Sequence, residues 1–398
     1  MAVIFYYFLL RNLFSFSGMN PTLSWIEISR SALKHNLQTF RGLVGSERVL
    51  SQAVKGNAYG HGLRVCAPIM VEAGANWLCV NALFEALELR SIGVEVPIYI
   101  MGYVPLEELK TVIENGFRQV VYNKETLEKL REVCRELKMP IYTHLKLETG
   151  TNRQGVLEQD LPAILDIYRS EPMVILEGTA THFANIEDTT DPSYAKYQKE
   201  NFDNMNKKII QAGFTPKYTH CANTASTIIY PETHENMVRV GVGAYGLWPS
   251  NETFVSSRHL ETKVELLPVM TWKTKVVQLK KVPANAAIGY GCTYRARYDS
   301  VVAVLPVGYY DGYDRKLSNI GLVLINGKRA PVRGRVFMNM VVVDVTGMPD
   351  VKLEDEVVLL GRQGDETVSA EQMARWVDTI NYEITTRINE RLPRVVVE

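Results

Sequence analysis

The decapeptide AVKGNAYGHG, residues 53–62, ends an apolar run at a lysine and then enters a glycine-rich turn that leads into a helical segment. Lys55 therefore stands at the C-terminal end of a strand. In a (β/α)8 barrel that end carries the active site, and a lysine partly withdrawn from water there loses its proton more readily and can form a Schiff base with an aldehyde. Other residues able to do chemistry stand at the ends of later apolar runs. Lys146 and Arg153 lie in HLKLETGTNRQG, His182 in THFAN, Asn223 and Thr224 in HCANTAS, and Arg239 and Gly241 in MVRVGVGAYGL. Taken singly, each has an ordinary explanation: a snorkelling lysine, a surface cation, a core histidine satisfied by its neighbours. Gathered at one rim, they describe a site.

Barrels commonly bind phosphate through hydroxyl and backbone N–H donors after strands seven and eight, where Thr224, Gly241 and Val242 stand. Phosphate together with a Schiff-base lysine points to pyridoxal 5′-phosphate (PLP). A Schiff-base aldolase needs no separate cofactor, but it leaves the glycine-rich turn and the arginine on strand eight without a purpose. His144, His182 and His220 fall on different strands with no HxxH or CxxC spacing nearby, so no metal is expected.

These side chains need a scaffold that brings eight strand ends together. Between residues 48 and 242, short β-branched or apolar runs alternate with segments of helical period, the mark of βαβ units around a parallel sheet. Eight strands are predicted, at 49–54, 77–80, 97–101, 119–121, 141–147, 174–181, 217–221 and 237–242, with amphipathic helices such as 124–138 and 194–212 between them. A (β/α)8 TIM-like barrel fits; a doubly wound open sheet gives much the same alternation. Past Leu260 the pattern becomes mostly β, with strand-like runs at 262–279, 300–307, 321–325, 330–338, 341–345 and 356–360. Asn326 and Gly327 give a hairpin turn signal, and a helix closes the region near 370–380. The expected division is a barrel over 19–258 and a β-rich C-terminal domain over 259–398, joined through a polar connection at 249–259.

The chain has 398 residues, 44 Lys+Arg against 44 Asp+Glu, 46% hydrophobic and 22% charged residues. Zero net charge gives no broad basic face for nucleic acid, and the composition is that of a globular chain with no membrane partner. Five scattered cysteines, Cys66, Cys79, Cys134, Cys221 and Cys292, form no even framework, which suits a reducing, cytoplasmic location. Residues 1–18 form a separate extension. Arg11 cuts the apolar run 3–10 far short of the ~20 residues of a membrane span, and its charge follows the apolar stretch where a secretory signal has it before. The expectation is that translation starts at Met19 and the extension is absent from the native protein.

AVKGNAYGHG, HLKLETGTNRQG, THFAN, HCANTAS, MVRVGVGAYGL, IGYGCTY, VGYYDGY and GRVFMN, in that order, closely resemble the motifs of bacterial alanine racemases, PLP enzymes of fold type III. The resemblance runs from about residue 23 to 394. It implies a barrel followed by a β domain, in a homodimer paired head to tail so that each active site takes residues from the partner's β domain. It implies interconversion of L- and D-alanine, supplying D-alanine for peptidoglycan. By position, Lys55 is then the Schiff-base lysine and one catalytic base, and Tyr290 is the second base, from the other subunit. Two bases are needed because one proton carrier on one face tends to return the proton with its original handedness. A tyrosine ordinarily titrates near ~10, so this one needs a depressed pKa or a proton relay, which the resemblance supplies through His182, linked onward to Arg239.

Arg239 is implied as hydrogen-bond donor to the pyridine nitrogen, and Tyr59, Thr224, Gly241 and Val242 as phosphate ligands, with His182 and Asn223 also at the cofactor. The lysine matching Lys146 is carbamylated in many members and holds the arginine matching Arg153 near the cofactor and the substrate carboxylate. Met338 offers its backbone N–H to that carboxylate, and Tyr309 stands with Tyr290 at the entrance, restricting the site to small side chains. Four departures appear: Thr224 for serine, Asn339 for aspartate, Phe337 for a smaller residue, and Glu390 where some relatives carry a phosphate-contacting tyrosine. The rival readings are a racemase of broader specificity, a non-catalytic PLP-binding protein, and a fold-type III decarboxylase, against which Arg239 argues.

Overall fold

The structure is a computed structural model that describes residues 23–398; the expectation for residues 1–18 lies outside the described residues. The first strand, β1 (Ser24–Ser29), alternates buried and half-buried side chains, with Ile26 and Ile28 pointing into the core. Eight parallel strands follow: β2 (Val49–Ala53), β3 (Trp77–Val80), β4 (Ile98–Ile100), β5 (Arg118–Val121), β6 (Ile141–Lys146), β7 (Val174–Ala180), β8 (Tyr218–His220) and β9 (Met237–Val240). Helices cover their outer faces and side chains fill the inside, so these strands read as continuous apolar runs such as the fully buried β3.

Their order is β8-β7-β6-β5-β4-β3-β2-β9, and β2 pairs with both β3 and β9. Pairing of the first strand with the eighth makes a barrel and excludes the doubly wound sheet. The β8–β9 seam is not a ladder. It is closed by Arg239 N–H to the Ala222 carbonyl at 3.1 Å and by Asn236, whose side chain accepts from Thr219 N–H at 2.9 Å and donates to the Lys217 carbonyl at 2.7 Å.

The helices show why the sequence pattern was readable. Lys124–Leu137 starts at Asn123, whose side chain accepts from Thr126 N–H at 2.8 Å, and it stops at Lys138, which adopts a left-handed conformation. Its buried positions Leu127, Leu130, Val133 and Cys134 fall three or four apart, the stripe an amphipathic helix presses on a sheet. Among the described residues no helix is long and apolar enough to cross a membrane.

The C-terminal part contains β10 (Met270–Lys275), β11 (Gln278–Val282), β12 (Ala287–Ile288), β13 (Tyr294–Arg295), β14 (Ser300–Leu305), β15 (Leu322–Ile325), β16 (Lys328–Pro331), β17 (Val341–Asp344), β18 (Glu356–Gln363), β19 (Glu366–Val368) and β20 (Arg394–Val397). The run 262–279 is thus two strands, preceded by irregular chain, and 332–340 is loop. The turn between β15 and β16 has positive φ at Asn326 and Gly327, the backbone that a two-residue hairpin of this hand needs. The helix expected at 370–380 is Ala370–Val377, and a second one, Asn381–Thr386, was not anticipated.

One difference concerns the domains. β1, which the sequence division puts with the barrel, pairs antiparallel with β10 and parallel with β20. It belongs to the largest sheet of the β region, ordered β16-β15-β18-β10-β1-β20. An alternating strand states that one of its faces is buried; it does not state against which sheet.

Candidate active site

Lys55 follows β2 at the C-terminal mouth of the barrel. Immediately after it the chain makes a left-handed turn: φ is 63° at Gly56, 54° at Asn57, 54° at Ala58, 53° at Tyr59 and 84° at Gly60. Each non-glycine residue in that region carries a penalty of roughly 1–2 kcal/mol, so three in succession require strong fixings. Glu85 supplies one: its buried carboxylate accepts from Gly56 N–H at 2.6 Å and from the N–H groups of Asn81 and Ala82 at 2.8 and 3.1 Å. Asn57 supplies another, accepting from Leu63 N–H at 2.7 Å. Gly60 is required twice over, by its φ and because a Cβ there would lie 2.0 Å from the Thr385 carbonyl oxygen. The turn sets the Lys55 and Tyr59 side chains on one wall of a cavity of about 710 Å³.

Lys146, at the end of β6, Arg153 on the following loop and Arg239 on β9 line the same cavity, with His182 beside them. The cluster is positive and crowded. Burial lowers the Lys55 pKa, the Arg153 guanidinium lowers it further, and Glu85 opposes the shift. Lys146 is driven well below the ordinary lysine value, first by burial and then by Arg239 and Arg153. The His182 pKa is likewise pushed well below the ordinary imidazole value, first by burial and then by the neighbouring Lys146 and Arg239. Both shifts favour the neutral, nucleophilic form of the amine, and an anion entering the cavity relieves the repulsion.

The cavity also has a corner of hydroxyls and backbone. Thr224 Oγ1 accepts from Gly241 N–H at 3.0 Å, and Asn223 caps the helix Thr224–Ile229. A Cβ on Gly241 would lie 2.7 Å from the Tyr59 hydroxyl, so glycine lets that tyrosine reach β9; Val242 is buried beside it. Two residues that sequence reasoning did not assign complete the corner. Tyr382, from the unanticipated helix, has its ring 6.1 Å from that of Tyr59, and Glu187 accepts from Asn223 Nδ2 at 2.7 Å. Burial raises the pKa of Glu187. Glu390 lies in a neighbouring cavity, whereas Tyr382 lines the site beside Tyr59. No motif spacing singled it out.

Arg239 is 8% exposed. Its donors go to His220 Nδ1, to the His220 carbonyl at 2.9 Å and to the Thr181 carbonyl at 2.7 Å. The imidazole that Arg239 donates to is that of His220, because β8 and β9 are neighbours and place that ring against the guanidinium, while His182 lines the same cavity as Arg239.

Tyr290, Tyr309 and Met338 are absent from the lining of this cavity. They gather in the β region instead. The Tyr290 ring packs edge-on against Phe337 at 4.9 Å, Tyr309 N–H donates to the Phe337 carbonyl, and Tyr310 N–H donates to the Met338 carbonyl. Gly308 permits the approach, since a Cβ there would lie 2.2 Å from the Phe337 carbonyl oxygen. Tyr290 is 70% exposed, Met338 55% and Tyr309 43%, a concentration of large side chains that a globular surface rarely leaves open.

Residues 28–249 match the family described as alanine racemase, N-terminal domain, and residues 269–396 the one described as alanine racemase, C-terminal domain. The alanine racemase of Leptospira interrogans is 37% identical over 386 residues, covering 96% of this chain and 98% of its own. That of Halothermothrix orenii is 39% identical over 375 residues, covering 93% and 96%. Among solved structures, the Bacillus anthracis alanine racemase with bound L-Ala-P superposes with a TM-score of 0.89 at 34% identity, covering 96% of each chain. The histidine racemase of Leuconostoc mesenteroides gives 0.86 at 27% identity, covering 96% of this chain and 99% of that one. Two adjoining family domains and full-length relatives well above 30% identity agree with the fold and with the lysine-bearing cavity: the chain belongs to the alanine racemase family.

Proposed function

We propose that the protein interconverts L- and D-alanine with PLP as cofactor, in a homodimer whose sites each combine Lys55 of one subunit with Tyr290 of the partner subunit. The observation that carries the reading is the cavity itself: a lysine of lowered basicity, a hydroxyl-and-backbone corner and a buried arginine, all lining one space of about 710 Å³. Those groups fit PLP chemically. Lys55 serves its aldehyde carbon, Tyr59, Thr224, Gly241 and Val242 its phosphate, and Arg239 its ring nitrogen. Bound PLP supplies an electron-withdrawing ring that acidifies the α C–H of an attached amino acid.

The chain's own residues do the rest. Lys55 carries a proton at Nζ on one side of the substrate α carbon, and the partner's Tyr290 carries one at its hydroxyl on the other, so removal by one and return by the other inverts the centre. Arg153 and the backbone N–H of Met338 of the partner subunit bind the substrate carboxylate. A guanidinium does not release its proton, so Arg239 leaves the ring nitrogen unprotonated and restrains side reactions. The neutral Lys146 amine can add to carbon dioxide, losing a proton to give a carbamate, whose negative charge would hold Arg153 among the surrounding cations. The free thiols of Cys66, Cys79, Cys134, Cys221 and Cys292 support a reducing, cytoplasmic setting, and D-alanine for peptidoglycan is the proposed use of the product.

The test is D-alanine formation from L-alanine by the purified chain with added PLP, beside serine and lysine as substrates. Alanine is expected to turn over fastest. The related histidine racemase shows that this fold hosts other substrates, and faster turnover of lysine than of alanine would establish the broader racemase instead.

A further inference from the structure

Behind Arg239 the barrel interior holds a line of polar side chains on four successive strands: His144 on β6, Glu177 on β7, His220 on β8 and Arg239 on β9. His144 Nδ1 is 2.6 Å from His220 Nε2, and His144 Nε2 is 3.4 Å from Glu177 Oε2, which Arg118 Nε also reaches at 3.2 Å. A guanidinium can only donate, so His220 Nδ1 must accept from Arg239 and its proton must sit on Nε2. His144 Nδ1 must then accept in turn, and its proton on Nε2 faces the carboxylate. An ionised carboxylate can only accept. Every proton along the line is therefore assigned by its two ends.

Three further observations make this a built arrangement. Gly178 stands where a Cβ would lie 2.7 Å from His144 Nδ1, so glycine makes room for that ring. Tyr99 lies 4.7 Å from the His144 ring and edge-on to His220 at 5.7 Å, and Trp77 lies 5.7 Å from His144, enclosing both imidazoles, which are fully buried. No carboxylate reaches Arg239 within ion-pair distance among the described residues. Burial works to raise the Glu177 pKa, but the hydrogen bond from His144 and the charge of Arg118 together hold it below the ordinary value.

We propose that Glu177, His144 and His220 form a one-way hydrogen-bonded relay that positions Arg239 toward the cofactor's ring nitrogen and presents Glu177 as its remote counter-charge. This rests on the reading of Arg239 given above. The three are positioning residues, and none of them lines the cavity. Two histidines that merely fill a core would depend on ring volume. The relay depends on an acceptor at the Nδ1 position of His144.

The two cases separate in the holoenzyme by comparing His144→Phe, which keeps a ring and loses the acceptor, with His144→Asn, which loses the ring and keeps an acceptor near Nδ1. The relay predicts that His144→Phe lowers kcat by about 10- to 100-fold, the scale on which partners that orient a binding group act, with little change in KM and with weakened PLP affinity. His144→Asn should recover most of that loss. Phenylalanine performing as well as asparagine would overturn the proposal. Histidine-ring 15N–1H correlation spectra of the wild-type protein, with and without PLP, give a reading independent of turnover. Both His144 and His220 are expected neutral with the proton on Nε2, and a proton on His220 Nδ1 would overturn the relay even in an active racemase. Should His144→Phe fail to fold, Gly178→Ala crowds the same ring from outside the line and is expected to produce the same kcat loss; wild-type kcat in that variant would count against the relay. Absence of alanine turnover in the wild type, with the predicted tautomers present, would instead fault the functional reading.

Discussion

At the scale of single residues, what distinguishes this cavity is cations held together with few counter-charges. The pKa of Lys146 lies well below 10.5, so between its folded value and 10.5 the unfolded chain binds the extra proton. Stability of the cofactor-free chain therefore rises with pH across that window and is lost as pH falls through it. Lys146→Met, which removes the charge and keeps a chain of similar length, is expected to be more stable than wild type near neutral pH, with an advantage that shrinks as pH approaches 10.5. Thermal melting of both proteins from about pH 7 to 10 measures this, and an advantage constant with pH would show that Lys146 is not the group responsible. The residues of the site that were legible in the sequence, Lys55, Arg153, His182, Thr224 and Arg239, each lie on a barrel strand or in the segment that follows one, within a recognisable run. His220, Tyr382 and Glu187 were not, because what gives them a role is a neighbour supplied by another element at no fixed spacing.

At the scale of elements, the left-handed turn after β2 determines where Lys55 points. Gly60→Ala puts a Cβ 2.0 Å from the Thr385 carbonyl at a φ of 84°. It is expected to destabilise by more than about 1 kcal/mol, since both the backbone region and the space are wrong for a side chain. Because the turn carries Lys55 and Tyr59, PLP affinity should fall with it. Leu130→Ala, in the buried stripe of Lys124–Leu137, is the control: about 2–5 kcal/mol of stability lost to a cavity, with PLP bound as in wild type at a temperature where the variant is folded. Denaturant unfolding and absorbance titration with PLP check the pair. The strands and helices of the barrel were readable because periods of 2 and 3.6 are local properties. The destination of Ser24–Ser29 was not, because a pairing partner is a long-range property. The same limit joined residues 262–279 into one strand and missed Asn381–Thr386, which is short and has no side-chain cap.

At the scale of the whole molecule, the exposed group around Tyr290 lies outside the lining of the cavity at Lys55, and the proposed shared site brings the two together between subunits. Lys55→Ala and Tyr290→Phe are each expected to abolish nearly all racemisation. Unfolded, mixed in equal amounts and refolded together, they should recover about a quarter of wild-type activity. Half of randomly formed dimers are mixed, and each mixed dimer has one site with both lesions and one with neither. Recovery near zero, with mixed dimers shown by mass, would mean that both bases act within one subunit.

The position of β1 between β10 and β20 has a consequence for how the protein is made. Ser24 Oγ lies 2.8 Å from Thr274 Oγ1, a contact between positions 250 apart. This strand thus waits with both edges bare until Met270–Lys275 has been synthesised, and its second edge is covered only by Arg394–Val397. Bare edges of apolar strands recruit other chains. Yield from an expressing cell should therefore be more sensitive to losing Arg394–Val397 than to a core substitution of equal energetic size, since their absence leaves the longer β1, with its buried Ile26 and Ile28, as the edge of the β region's sheet in place of the four-residue β20.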